Sequence, residues 1–377
     1  MRCRNCGVRS VAYQQFTRSG IPYAPGEILR QPDLAATLER IARRGPAGFY
    51  RGEVARRLAR EMAAGDGLIT TADLREYRAL RREPVRGTYR EFEVLSMPPP
   101  SSGGTVLALM LNVLEELDLA RNGRDSTATI HLVAEAMRLG FAERARWLGD
   151  PDFNPDMPLS RLLSKEHAAR LRATIQPDRA SASSLAAVAG EAESRQTTHL
   201  SVVDAARNAV ALTYTLEESY GSGLMAPGTG FLLNNEMGDF NPAPGLTTTN
   251  GWIGTAPNLA APRKRMLSSM TPTILVKDHQ PFLVLGSPGG RTIINTVLLT
   301  ILNVVEHGLD LEAALAAPRF HHQWFPDRIL YERGAFSTET LAALRALGHR
   351  LEEYPYPQGG RGGDPRGSRD RPAGGAV

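Results

Sequence analysis

The prevailing apolar pattern of this 377-residue chain shifts near its middle, and that shift constrains the fold more than any other feature. Up to about residue 175 apolar residues recur mostly at helical spacing, whereas just after Thr197 they alternate every second residue, the spacing of strands. Between the two lies QPDRASASSLAAVAGEAESRQ, Gln176 to Gln196, which has no period and is small and polar. Such a segment reads as an exposed, flexible or cleavable connection.

Before it, PDLAATLERIARRGPAGFYRGEVARRLAREMAA predicts two helices broken at Gly45-Pro46, and Thr70, Thr71 and Asp73 form a capping pattern for a third. PVRGTYREFEVLSM alternates and ends in the sharp loop Pro98 to Gly104, which carries no titratable group and is assigned to packing, at most lining a site. Two amphipathic helices, GTVLALMLNVLEEL and IHLVAEAMRLGFAERARWL, follow. After the connection, THLSVVD and NAVALTYT predict an antiparallel hairpin, and PTILVKD and PFLVLGS predict another with its turn at His279-Gln280. TIINTVLLTILNVVEHG is a helix with a wide apolar face, and LEAALAA a shorter one. Helices, then hairpins, then helices imply an α+β sandwich of sheets covered by helices.

Composition narrows the function classes. The net charge is only +4, and all but Lys165, Lys264 and Lys277 of the basic residues are arginine. That bias accompanies abundant Ala, Gly and Pro and is read as compositional, so no nucleic-acid partner is expected. No run approaches the roughly 18 apolar residues that a membrane helix needs. Cys3 and Cys6 form a lone CxxC, short of the four ligands of a structural zinc site. His321-His322 is adjacent in an extended segment, where side chains point apart, and is assigned to packing. No metal or cofactor is expected.

No G-x-S-x-G elbow is present, but a threonine at a free chain end carries its own base, an α-amine titrating at roughly 7.7–8.0. Thr197 would gain that amine if the Gln196–Thr197 bond were cut, and the unpatterned segment ends at this bond. On spacing alone, Thr197-Thr198 begins a strand equally well. Ser287 to Arg291, SPGGR, sets Gly289 and Gly290 between a strand and a helix start, which suits an oxyanion hole or a plain tight turn. Glu236 and Asp239 in LLNNEMGDFN either grip a cationic amino group or lie in a solvated turn. Ser268-Ser269 either donates to a carboxylate or turns the chain.

The order TTHLSVVD, TYTLEESYGSG, LLNNEMGDF, SSMTPT, GSPGGR, APRFHHQW resembles the γ-glutamyltransferase family of N-terminal-nucleophile hydrolases. GPAGFYRGEVA, GLITTADLREY, MPPPSSGG and GDPDF resemble its large subunit, so the likeness runs from about Tyr23 to Tyr354. The resemblance implies a four-layer αββα fold and a precursor that cuts itself before Thr197 into subunits that stay associated. It implies that Thr197 attacks the Gln196 carbonyl, that the ester is hydrolysed, and that Thr197 then takes the γ-glutamyl group of a compound such as glutathione and passes it to water, an amino acid or a peptide. It further implies that Thr215 bonds the Thr197 hydroxyl, Gly289 and Gly290 hold the oxyanion, Ser268 and Ser269 bind the α-carboxylate, and Glu217, Glu236 and Asp239 bind the α-ammonium. By the same resemblance the protein is periplasmic or extracellular.

Four regions are expected: 1–22 without a match, 23–196 as a partial large subunit, 197–356 as the small subunit, and 357–377 as a disordered tail. Position 217 is Glu where many members carry Asn, Arg207 stands where Gly is usual, and Met237-Gly238-Asp239 replaces the commoner Met-Asp-Asp. Members also carry a long segment ahead of Tyr23 with an arginine that clamps the α-carboxylate. On that basis the sequence reads as truncated, and a poorly stable chain with little or no turnover is expected. The alternatives are an acylase or transpeptidase on the same fold, or an inactive remnant.

Overall fold

The computed structural model describes residues 10–184, 196–246, 248–354 and 358. Cys3 and Cys6, most of the connection ahead of Thr197 and nearly all of the tail after Tyr354 lie outside the described residues. The chain forms two compact units, Met1–Arg82 with Glu218–Asn235, and Glu83–Glu217 with Glu236–Val377.

In the first unit, α1 (Pro32–Arg44), α2 (Gly52–Ala64) and α3 (Thr71–Glu76) occupy the predicted stretches. The α3 cap is reciprocal: the Asp73 N–H donates to the Thr70 hydroxyl at 3.3 Å, and the Thr70 N–H donates to the Asp73 carboxylate at 2.7 Å. Ala55, Leu58 and Leu74 pack with Ala226 in a small core. The Thr37 hydroxyl and the Arg57 guanidinium tie the helices to the carbonyls of Thr229 and Gly228.

The second unit contains, in chain order, β1 (Val85–Tyr89), β2 (Phe92–Ser96), α4 (Gly103–Leu114), α5 (Thr127–Trp147), β3 (Gln196–Val203), β4 (Ala209–Glu217), β5 (Thr273–Lys277), β6 (Gln280–Leu285) and α6 (Thr292–Val305), with shorter helices between. An antiparallel sheet runs in the order β1-β2-β5-β6, and β3 and β4 form a separate hairpin lying against β6. A third sheet of β7 (Phe320–His321), β8 (Ile329–Glu332) and β9 (Leu351–Tyr354) completes the unit, with β8 and β9 parallel. The fold is therefore α+β, with helices layered on a sheet and a hairpin beside it.

The main core joins Phe92, Val94, Leu275, Leu283 and Leu285 of the sheet to α4, α5 and α6. Helix α4 departs from the amphipathic reading, because every residue from Gly103 to Leu114 is buried. A helix apolar all round belongs at the centre of a large domain, and α4 packs against α5, α6 and β1. The turn between β5 and β6 falls at Asp278-His279 rather than His279-Gln280. Both residues have positive φ, 50° and 61°, as a type I′ hairpin turn requires.

The β3–β4 hairpin inverts the usual burial. Thr197, His199, Ser201, Thr213 and Thr215 lie on its more buried side, whereas Leu200, Leu212 and Tyr214 are 51%, 48% and 57% exposed. The apolar alternation does not predict this, because it marks the face turned outward. Arg207 in the connecting turn has φ 65°, a left-handed conformation that disfavours any residue with a Cβ. Arg207→Gly is expected to raise stability by roughly 0.5–1 kcal/mol, read as an increased urea midpoint at unchanged slope.

Candidate active site

Antiparallel pairing of β3 with β4 sets Thr197 opposite Thr215, and the register shifts between Gln196 and Thr197. The bond expected to break therefore sits at a β-irregularity, a feature that re-aims a side chain and is common beside active sites. Two residues on, His199 straps this face of the hairpin. The Ser201 hydroxyl donates to the Val284 carbonyl at 3.0 Å and so accepts from His199 Nε2 at 2.9 Å, while Thr213 Oγ1 donates to Nδ1 at 2.8 Å. Burial holds the His199 pKa below its ordinary value, keeping the ring neutral. Gly286 is required beneath it, since a Cβ there would meet the ring at 2.3 Å.

Thr197 and Thr215 open onto a cleft also lined by Glu217, Asp239, Ser268, Ser269, Met270, Gly290 and Ile293. Seven of the residues expected to act together thus meet, although they come from separate segments spread over some ninety positions. Glu236 is buried and does not border the cleft; it stands at the start of a 3-10 turn that runs to Asp239. Gly290, but not Gly289, borders the space. The two glycines have φ 58° and 129°, and their carbonyls accept from the Ile293 and Thr292 N–H groups at 3.1 and 3.2 Å. The amino-terminal end of α6, whose dipole favours negative charge, therefore faces the cleft.

Glu217 closes β4 with φ 71°, and the Thr215 hydroxyl accepts its N–H at 2.9 Å. Its carboxylate lies on Gly238, where an added Cβ would stand 2.7 Å from one carboxylate oxygen. Two of the three positions that depart from the family pattern, 217 and 238, are thus in contact.

The serine pair rests on the loop before α4. The Ser102 N–H and hydroxyl donate to the Ser268 carbonyl at 2.8 and 2.7 Å, and the Ser268 N–H donates to the Pro100 carbonyl at 3.1 Å. Gly103 allows this approach, because a Cβ would fall 2.2 Å from the Met270 carbonyl oxygen. The loop assigned to packing, at most lining a site, supports the serine pair without itself bordering the cleft. Beneath it lies Arg144 of α5, 3% exposed, donating through Nε to Ser102 Oγ at 2.9 Å and through Nη2 to Ser269 Oγ at 3.0 Å. Sequence reading missed Arg144. Its signal was a charge three residues after Phe141 and seven after Met137, on the buried stripe of the helix.

His321 and His322 pack with different partners, as adjacent extended residues must. Asn295 Nδ2 donates to His321 Nδ1 at 2.7 Å, while His322 Nε2 meets Asp327 at 3.3 Å. His131, Glu135 and His349 bring three metal-ligand atoms within 4.8 Å of one another. The three side chains bond one another and their neighbours. His131 Nε2 donates to the Gln176 carbonyl at 2.7 Å, so its Nδ1 accepts from His349 Nε2 at 2.7 Å, and Glu135 holds Arg138 at 2.9 Å.

Burial lowers the pKa of His321 to about 3, and burial together with His131 lowers that of His349 to about 4. The unfolded chain binds protons on these rings below about pH 6.5 that the folded chain refuses, so their stabilisation is complete above 6.5 and is lost as pH falls toward 4 and then 3. Thermal melts should show a falling midpoint from pH 7 to pH 4.5 and a shallower fall in His349→Gln. An equal slope in both proteins would refute the assignment.

A family model described as Gamma-glutamyltranspeptidase matches residues 6–363. The glutathione hydrolase proenzyme of Escherichia coli (strain K12) is 45% identical over 338 residues, covering 89% of this chain and 58% of that protein. The acylase ACY 1 proenzyme of Pseudomonas sp. (strain V22) is 39% identical over 341 residues, covering 90% of this chain and 58% of that protein. Among solved structures, cephalosporin acylase from Bacillus halodurans superposes with a TM-score of 0.77 at 27% identity, covering 91% of this chain and 60% of the other. The chain thus spans somewhat under two thirds of the length of these relatives. With motifs, cleft and family model in agreement, the chain belongs to the γ-glutamyltranspeptidase family.

Proposed function

We propose that this chain is a precursor that cleaves itself before Thr197 and then transfers γ-glutamyl groups to water or an amino acid through an acyl-Thr197 intermediate. One observation carries the reading: Thr197, a pair of carboxylates, a pair of serines and a helix amino terminus share one cleft. In the first step the Thr197 hydroxyl adds to the Gln196 carbonyl, the C–N bond breaks, and the Thr197 nitrogen leaves as an amine. Water then hydrolyses the resulting ester. The freed amine serves as base for the second reaction, in which the same hydroxyl takes the γ-acyl group and the leaving amine takes the proton. Thr215 supports the nucleophile from across the strand pair, and the N–H groups at Gly289 and Gly290 stabilise the oxyanion.

The α-carboxylate of the substrate pairs with Ser268 and Ser269, and its ammonium with Glu217 and Asp239, the latter on the turn that Glu236 begins. Such a site favours acyl groups that carry the amine, because an ammonium forms charge-assisted hydrogen bonds with the cleft carboxylates. The acylase relatives motivate a second reading, an enzyme for acyl groups other than glutamyl. The two carboxylates that line the cleft, Glu217 and Asp239, favour the glutamyl reading. Single-turnover acylation by a γ-glutamyl anilide and by the matching glutaryl anilide separates the two. Preference for the glutamyl compound is expected, and equal acylation would refute it.

A further inference from the structure

The contact between Gly238 and Glu217 carries a consequence for selectivity that rests on the glutamyl reading above. Gly238 is exposed and does not have a positive φ, so its backbone does not call for glycine. Space does: a Cβ at 238 would lie 2.7 Å from Oε1, 2.9 Å from Oε2 and 3.1 Å from Cδ of Glu217. The carboxylate therefore occupies the volume that any other residue at 238 would fill. Glu217 is led there by its left-handed backbone, φ 71°, and by the hydrogen bond from its N–H to Thr215 at 2.9 Å.

We infer that Gly238 is a specificity-determining positioning residue: its missing side chain is the seat that holds the Glu217 carboxylate in the cleft beside Asp239, where the two recognise the α-ammonium of a γ-glutamyl donor. The colliding atoms are the end of a flexible side chain, so a methyl group at 238 displaces the carboxylate at little cost to folding. The effect falls on recognition instead. Hydrogen bonds to charged groups are strong enough that losing one weakens binding about tenfold or more.

The test is a double-mutant cycle on the full 377-residue chain, titrated calorimetrically with L-glutamate and with glutarate, which lacks the amine. Gly238→Ala is expected to weaken glutamate about tenfold while leaving glutarate within about twofold and the melting temperature unchanged. Glu217→Gln is expected to lose the same preference, and adding Gly238→Ala to it should cost no more than about twofold further. Losses that multiply in the double variant, or a Gly238→Ala chain that keeps its preference, would overturn the inference while leaving the glutamyl reading intact. A wild-type chain that binds both ligands equally would overturn both.

Discussion

Thr197→Ala leaves the Gln196–Thr197 bond uncut on a denaturing gel and takes up no acyl group from a γ-glutamyl anilide. Both effects are expected to be complete, because one hydroxyl is asked to break the chain and to carry the acyl group. No neighbour can substitute on geometric grounds. Thr198 alternates to the exposed face of the strand, and Thr215 spends its oxygen in part on the Glu217 N–H. Thr197→Ser keeps the hydroxyl and should still cut. Without the methyl that restricts its rotamer, it should cut more slowly. Cutting at the same bond in the alanine variant would mean that another group is the nucleophile.

Arg144→Met is expected to weaken L-glutamate about tenfold to a hundredfold while leaving 4-aminobutyrate, which has no α-carboxylate, nearly unchanged. A guanidinium only donates hydrogen bonds, so the Ser269 oxygen accepts from it and directs its own proton to a different acceptor. Donation from a buried cation also polarises that hydroxyl and makes it the better donor. Through Ser102, whose hydroxyl bonds the Ser268 carbonyl, the same side chain sets the position of the neighbouring serine. Arg144 is thus a positioning residue that lends its charge to the carboxylate subsite without bordering the cleft. Methionine preserves much of the packing against Phe141, over which the guanidinium carbon lies at 6.0 Å. Equal losses for both ligands would reduce Arg144 to a structural role.

Elements with a one-sided apolar stripe were legible in the sequence. Helix α2 and the β5–β6 hairpin follow their patterns, because burial of one face is what those patterns encode, whereas α6 is enclosed all round from Ile293 to Asn303. Helix α4 was misread because enclosure on several sides erases periodicity. The β3–β4 hairpin was legible as an antiparallel pair, but the direction of its burial was not, since its polar face turns toward the site and its apolar face outward. The motif residues of the site were legible as a series, yet their meeting in one cleft was not, as that depends on pairing across the hairpin and on the Gly103 approach. Arg144 looked like one more solvated arginine in a chain rich in them. The Glu217–Gly238 contact shows in the sequence only as two separate departures from the family pattern, because a contact between residues 21 positions apart leaves no local trace.

The central claim, that Thr197 becomes a chain terminus and then carries the acyl group, is tested most directly by intact-mass analysis of the purified chain before and after brief exposure to a γ-glutamyl anilide. The account predicts a fragment beginning at Thr197 that becomes heavier by one glutamyl group, with the addition mapping to Thr197 itself. A single uncut chain, or a glutamyl adduct on any other residue, would contradict it.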